Sequence, residues 1–273
     1  MNTINNRKVL ILGSTGFLGS ALVKFAPKEN KLWLAYKDKQ IKVGGFKSIK
    51  IDLLAYQPLK KNLNEIKPDT IIHVARVNPD DENPGKAKEA TEQLVKLIKR
   101  IGARLAYISS DAVFDGIKGN YKEGDKTNPI TNYGRAKLAA ETVIKKNLEN
   151  FIIIRTSYIY GKNTASWDKR TTQLLNLVRQ GKVAYRFKDM YRSPIQVVDL
   201  AKATWRLIEK DFNGVVHVAG KRKSIYKFSK ELVKGIGMDS NLIKPDSLVD
   251  KNLNIAPDTS LNTGLFFKII KQL

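Results

Sequence analysis

The chain of 273 residues contains no cysteine. Disulfides, thiolate metal sites and thiol nucleophiles are therefore excluded. Histidine is nearly absent: His73 and His217 are the only copies, each inside an apolar run (TIIHVA, VVHVAG). Packing explains them better than catalysis, and neither has metal-ligand spacing around it. Long hydrophobic runs are missing too. The N-terminal VLIL is too brief for a secretory h-region or a membrane span, and no later segment approaches that length. The expectation is a soluble, cytoplasmic chain without a membrane partner. Acidic residues are scarce, 26 Asp+Glu against 49 Lys+Arg, a formal charge of +23. Such an excess raises nucleic acid as a partner. The cations are scattered, however, the longest run being Lys221-Arg222-Lys223, with no zinc-finger spacing, RNP-like aromatics or basic arm. A basic surface over an enzyme is the better reading, and a phosphate-rich small substrate would profit from the same field.

What is present is an alternation. KVLILG (8–13) is a continuous apolar run ending in glycine, the mark of a fully buried parallel strand. FLGSALVKFA (17–26) has helical periodicity, KLWLAY (31–36) and SIKI (48–51) read as strands, and PLKKNLNEI (58–66) as a helix. TIIHVA (70–75) is again strand-like, and residues 86–102 carry a helix stripe (Ala87, Ala90, Leu94, Ile98, Ile101) closed by Gly102. RLAYISS (104–110), a helix over 132–148 and FIIIRTS (151–157) continue the series. Strands alternating with helices imply βαβ units and a doubly wound parallel sheet. From about residue 161 the pattern changes: helices near 171–181 and 197–209, a strand at 215–220 and short helical pieces follow without a Gly/Ser linker. The expected organisation is a first domain over 1–160 and a smaller α/β region over 161–273, interleaved with it and leaving a ligand cleft between them.

GSTGFLG places Gly13, Gly16 and Gly19 after the first strand and at the opening of a helix. Gly13 allows the tight turn, Gly16 lets backbone N–H groups approach a pyrophosphate, and Gly19 lets the helix pack closely on the sheet. A merely flexible connection is the bland alternative, but the strand–turn–helix context favours a dinucleotide. The expected cofactor contacts run through Gly13, Ser14, Thr15, Gly16, Phe17, Leu18 and Gly19, with Ala75 at the end of a neighbouring strand. The second strand ends in Tyr36, Lys37, Asp38 and Lys39. Lysines there welcome a 2′-phosphate and point to NADPH; Asp38, one register step away, would suit the free ribose of NADH.

NYGRAKLAAE sets Tyr133 and Lys137 one helical turn apart. With a dinucleotide beside it, a phenol whose pKa of about 10 is drawn down by a neighbouring ammonium can protonate an alkoxide. A hydroxyl at a strand end, Ser109 or Ser110, would polarise the carbonyl oxygen.

Glycine loop, strand-end serine and YxxxK, in that order, resemble the extended short-chain dehydrogenase/reductases with their Rossmann-type sheet. SSDAVFDG (109–116), YKEGDKTNPITNYGRAKLAAE (121–141), RTSYIYG (155–161), YRSPIQVVDLA (191–201), NGVVHVAG (213–220) and APDTSLN (256–262) are similar to the dTDP-4-dehydrorhamnose reductase (RmlD-like) family along nearly the whole chain. The resemblance implies Ser110, Tyr133 and Lys137 as the catalytic set. It also implies Tyr133 and Lys137 at the nicotinamide ribose, and Ser110, Asp111, Val113, Phe114, Tyr133, Tyr158 and Arg192 at the substrate. The implied reaction is NAD(P)H-dependent reduction of the 4-keto group of a nucleoside-diphosphate 6-deoxy sugar. A nucleotide sugar is the expected partner, with a homodimer as the expected assembly.

Three departures stand out. The turn RVNPDDENPG (76–85) lacks the family's Ala-rich character, and no asparagine for a proton relay can be placed near Ala87 and Ala90. The tail has Ala256-Pro257 and Asn262 where the family has Arg-Pro and Asp. The acidic cluster that lets some members dimerise through a metal is not evident. Arg155 could meet a substrate phosphate or an internal carboxylate, while Trp167 and Trp205 read as packing. A nucleotide-sugar epimerase or dehydratase, and a non-catalytic NAD(P)-binding regulatory subunit, are the alternative functions; the full Ser110–Tyr133–Lys137 set speaks against the latter.

Overall fold

A computed structural model describes residues 6–38, 45–75, 83–163, 166–210, 212–251, 253 and 255–271. In chain order the first part comprises β1 (Lys8–Leu12), α1 (Phe17–Lys24), β2 (Lys31–Tyr36), β3 (Lys47–Lys50), α2 (Tyr56–Ile66) and β4 (Thr70–His73). There follow α3 (Pro84–Ile101), β5 (Arg104–Ser110), α4 (Asn132–Asn147) and β6 (Phe151–Thr156). One sheet holds all six strands and a seventh, Gly214–His217, in the order 214–217, β6, β5, β4, β1, β2, β3. Every pairing in it is parallel. Strand order reverses between β1 and β4, and open α/β sheets bind ligands beyond the strand C-termini at such a switch point.

The continuous apolar runs are explained by two cores. On one face Val9, Ile11, Ile72, Ile108 and Ile154 pack against α1 and against α6 (Val197–Glu209). On the other Leu10, Ile71, Leu105 and Ile153 meet α2, α3 and α4. Trp205 of α6 donates its indole N–H to Leu22 O at 3.0 Å, so the late helix is locked to the first one. α6 and the strand Gly214–His217 thus return to the main sheet. α8 (Gly264–Lys271) adds Ile269 to the α1–α6 core; of the other late elements, α5 (Lys169–Arg179), α7 (Ile225–Gly235) and the parallel pair Ala184–Phe187 with Ile243–Asp246 pack together. They enclose a separate small core of Leu174, Leu175, Val178, Ala184, Val233 and Ile243. Among the described residues no helix is long and apolar enough to cross a membrane.

Both histidines lie inside the sheet, as their apolar surroundings suggest. Burial lowers the His73 imidazole from the ordinary 6.5 to about 3, and the Lys137 ammonium adds to this. His217 moves the same way for the same first reason. Sign follows from linkage: the unfolded chain takes up a proton at His73 near pH 6.5 and the folded one does not until about pH 3. His73 therefore stabilises the fold fully above pH 6.5, and that contribution falls by about 1.4 kcal/mol per unit as pH drops toward 3. His73→Leu should flatten the acid limb of the melting-temperature profile by close to one proton; an unchanged slope would refute the assignment.

Candidate functional site

The glycine loop occupies the switch point. Gly13 has φ +86°, and a Cβ there would lie 2.7 Å from Ala75 N, so the end of β4 leans directly on the turn. A Cβ on Gly19 would sit 2.0 Å from Gly13 O. Gly16 caps α1 with no side-chain bond, which leaves the first helical N–H groups without a side-chain acceptor at the partially positive helix end. These features fit a dinucleotide diphosphate: a cradle that side chains would fill, beside a helix start that no side chain caps. Thr15 and Gly16 are exposed and Phe17 half-buried, whereas Leu18 faces the core. Ser14 is buried with its hydroxyl donating to Ala35 O at 2.8 Å, so its side chain ties the loop to β2 rather than facing a ligand. Tyr36 and Lys37 stand at the end of β2, the Lys37 ammonium 3.7 Å from Asp52 with both of that pair's side chains partly exposed. Asp38 is exposed beside them, and Lys39 lies outside the described residues. Gly19→Ala should abolish saturable NADPH binding, read as quenching of protein fluorescence; binding equal to wild type would mean that the loop does not serve this purpose.

The second half of the site is built where β5 ends. Ser110 accepts the Ala112 N–H at 3.2 Å and so caps the short turn Asp111–Val113. Thr131 caps α4 by accepting the Gly134 N–H at 3.0 Å, which fixes Tyr133 in the first turn. A Cβ at Gly134 would meet Ala112 O at 2.0 Å. Glycine at this point lets the helix start press against the turn that Ser110 caps, bringing Tyr133 and Ser110 to one corner. One turn on, Lys137 donates to Ile108 O at 2.8 Å. Its Nζ lies 4.8 Å from the Tyr107 ring centroid and 5.8 Å from that of Tyr133. The ammonium therefore sits between two phenol rings, within cation–π reach of both. Burial, then the neighbouring Tyr133 and Glu141, push the Tyr107 phenol well above its ordinary 10, so Tyr107 is a neutral platform.

Glu141, another turn along α4, is fully buried. It accepts from Arg155 Nε at 3.0 Å and Nη2 at 2.7 Å, and from the Ser109 hydroxyl at 2.6 Å. Of the two readings open for Arg155, the internal ion pair is the one observed. Ser109 is thereby turned inward, leaving Ser110 as the strand-end hydroxyl nearer the cleft.

The residues expected at the substrate divide. Asp111 is buried and accepts three hydroxyls, from Ser110 (3.0 Å), Ser157 (2.7 Å) and Thr259 (2.8 Å). Arg192 donates to Tyr191 O at 2.6 Å, Ala256 O at 2.9 Å and Pro257 O at 3.4 Å. Burial lowers its proton affinity, while Asp111 and Asp258 act in the opposite sense. Both charges thus hold the tail 256–262 in place. That tail also accepts Tyr121 N–H at Ser260 O and donates Leu261 N–H to Ser193. Val113 and Phe114 are sealed, Phe114 stacking on Tyr121 with centroids 4.1 Å apart; only their backbone can face a ligand. Tyr158 is half-buried and carries the exposed Arg170 guanidinium over its ring at 3.8 Å. Tyr107, Glu141 and Arg170 escaped the sequence reading. Glu141 and Arg170 look like ordinary surface charges there, although the four-residue step from Tyr133 through Lys137 to Glu141 was a signal for the first.

With this geometry in place, the comparisons are informative. Residues 7–256 match the RmlD substrate binding domain, and the chain belongs to that family. It is 30% identical over 262 residues to methionine adenosyltransferase 2 subunit beta of Bos taurus, covering 89% of this chain and 76% of the relative. Among solved structures, a hypothetical dTDP-4-dehydrorhamnose reductase from Sulfolobus tokodaii superposes with a TM-score of 0.83 at 30% identity, over 97% of this chain and 95% of that one. A dTDP-4-dehydrorhamnose reductase from Bacillus anthracis, in complex with NADP, shares the fold with a TM-score of 0.80 at 23% identity, over 96% and 92%.

Proposed function

We propose that the protein is an NADPH-dependent reductase of a 4-keto nucleotide sugar, with NADH as the second cofactor. The observation that supports the reading is the Lys137 ammonium, held 2.8 Å from Ile108 O and over the Tyr133 ring at a helix start that presses on the turn Ser110 caps. When bound, the reduced nicotinamide supplies the hydride. Ser110, whose hydroxyl donates to Asp111 at 3.0 Å in the free chain, then turns that O–H to the ketone oxygen, drawn by the oxygen's growing negative charge. Tyr133 hands its phenolic proton to that oxygen, and Lys137 stabilises the phenolate left behind. The uncapped start of α1 receives the cofactor diphosphate, and Lys37 answers a 2′-phosphate. Arg170 over Tyr158 offers an exposed cation for an anionic group of the substrate. The named activities of the Sulfolobus and Bacillus proteins support the substrate class, and the Bacillus complex supports the cofactor.

A second reading has a specific observation behind it. Methionine adenosyltransferase 2 subunit beta is as similar in sequence as the Sulfolobus protein. Asp111 and Arg192, moreover, are engaged in holding the tail. On that reading the chain binds NADP(H) and acts as a subunit of another enzyme. One assay separates the two: NADPH oxidation, followed by absorbance, with dTDP-, UDP- and GDP-4-keto-6-deoxy sugars. Turnover of one of them supports the reductase; tight NADPH binding with no turnover on the whole panel would transfer the case to the subunit.

A further inference from the structure

The face formed by α2, α3 and α4 carries a cavity of about 860 Å³ that no part of the proposed reaction uses. It runs along α3, taking Lys88, Glu92, Lys96, Lys99 and Arg100 from that helix, Tyr56 from α2 and Lys146 from α4. Lys88 is paired with Glu92 at 3.6 Å. The Lys96 ammonium lies 5.8 Å from the Tyr56 ring centroid. Lys99, Arg100 and Lys146 are exposed and have no hydrogen-bond or ion-pair partner among the described residues.

Part of this charge is answered within the fold. Lys99 and Arg100 occupy the last turn of α3, and Lys146 that of α4. Helix ends favour cations there, each offsetting about half a charge. Five cations, less the Glu92 carboxylate and about one unit from the two helix ends, leave roughly three positive charges around one concavity. A twofold contact with a second copy through this face would set Lys96, Lys99, Arg100 and Lys146 against themselves, so like charge opposes self-association here. The volume falls within the roughly 300–1,000 Å³ typical of small-ligand pockets. Val95 and Val143 supply apolar wall between the cations.

We propose that this cavity binds the polyphosphate chain of a nucleoside triphosphate, with Lys99, Arg100 and Lys146 on the phosphates and the Tyr56 ring offered to the base. Its location on the helical face keeps it separate from the glycine loop, and it does not rest on the reductase reading.

The test is calorimetric titration of the whole chain with ATP and with inorganic triphosphate, NADPH being present in excess to occupy the glycine loop. Saturable binding is expected, weakened about tenfold or more in Lys99→Ala/Arg100→Ala/Lys146→Ala as charge-assisted hydrogen bonds are lost. The control Lys182→Ala/Lys188→Ala/Lys234→Ala removes the same charge from exposed positions of the second region and should bind like wild type. Tighter binding of ATP than of triphosphate supports a nucleotide; equal binding, lost in the first variant alone, supports a free oligophosphate on the same residues. Equal weakening in both variants would reduce the site to a general field and overturn it. So would absence of saturable binding, or preference for a single-stranded oligonucleotide at matched phosphate concentration.

Discussion

On the proposed reductase reading, Tyr133→Phe is expected to lower turnover of the 4-keto sugar by about 10²–10⁴-fold, the usual contribution of a positioned general acid. NADPH affinity should stay near the wild-type value. The substitution keeps the ring that lies under the Lys137 ammonium, 5.8 Å from its centroid, and removes only the hydroxyl. Binding and helix packing are thus preserved while the transferable proton is lost. The signature is a fall in kcat and in kcat/KM by the same factor, because the lost interaction exists only in the transition state. Lys137→Met should approach the same floor without adding to it, since residues acting as one unit are strongly non-additive. Turnover within a factor of about two of wild type in Tyr133→Phe would remove Tyr133 from the proton path.

The largest effect on stability is expected at the buried ion pair behind the site. Glu141→Gln should cost about 3–5 kcal/mol, because it leaves the Arg155 guanidinium charged, desolvated and uncompensated. Arg155 is 2% exposed and Glu141 fully buried, so solvent cannot replace the missing charge. Such a loss is a large share of the roughly 5–15 kcal/mol that holds an ordinary domain together. It should appear as a drop of about 10 °C in melting temperature. Removing both charges is the informative control. Glu141→Leu/Arg155→Met should recover most of the loss, since apolar replacements of similar volume avoid the desolvation cost. If the double variant were as unstable as the single one, the pair itself would be stabilising, and the penalty argument would fail.

How much of this was legible can be traced to particular residues. Strand and helix positions follow the apolar periods closely: RLAYISS over 104–110 is β5 to the residue, and the helix expected over 132–148 ends at Asn147. Those patterns are local, as is the strand–turn–helix setting of the glycine triplet. What could not be read was long-range. Nothing local reveals that Gly214–His217 completes the main sheet beside β6. Arg155 carried two readings because its partner, Glu141, belongs to a helix whose face is set by tertiary packing. Asp111 and Arg192 were assigned to substrate by resemblance, and the hydroxyls and carbonyls that occupy them come from residues up to 148 positions away. Nothing in the sequence singles out Gly134, yet a Cβ there would meet Ala112 O at 2.0 Å, so glycine is what lets the start of α4 press on the Ser110 turn.

The clasp between Asp111 and the tail has a consequence for biosynthesis. Six of the seven sheet strands are complete by Thr156, so the cofactor half can begin to fold while the chain is still on the ribosome. The Asp111 corner, by contrast, waits for Thr259, and the loop around Tyr121 waits for Ser260. A nascent chain halted before these residues would hold a formed sheet and an open corner. Premature stops in the last segment should therefore leave the Asp111 corner open and also strip Leu265, Phe266 and Ile269 from the core beneath α1 and α6, lowering the melting temperature.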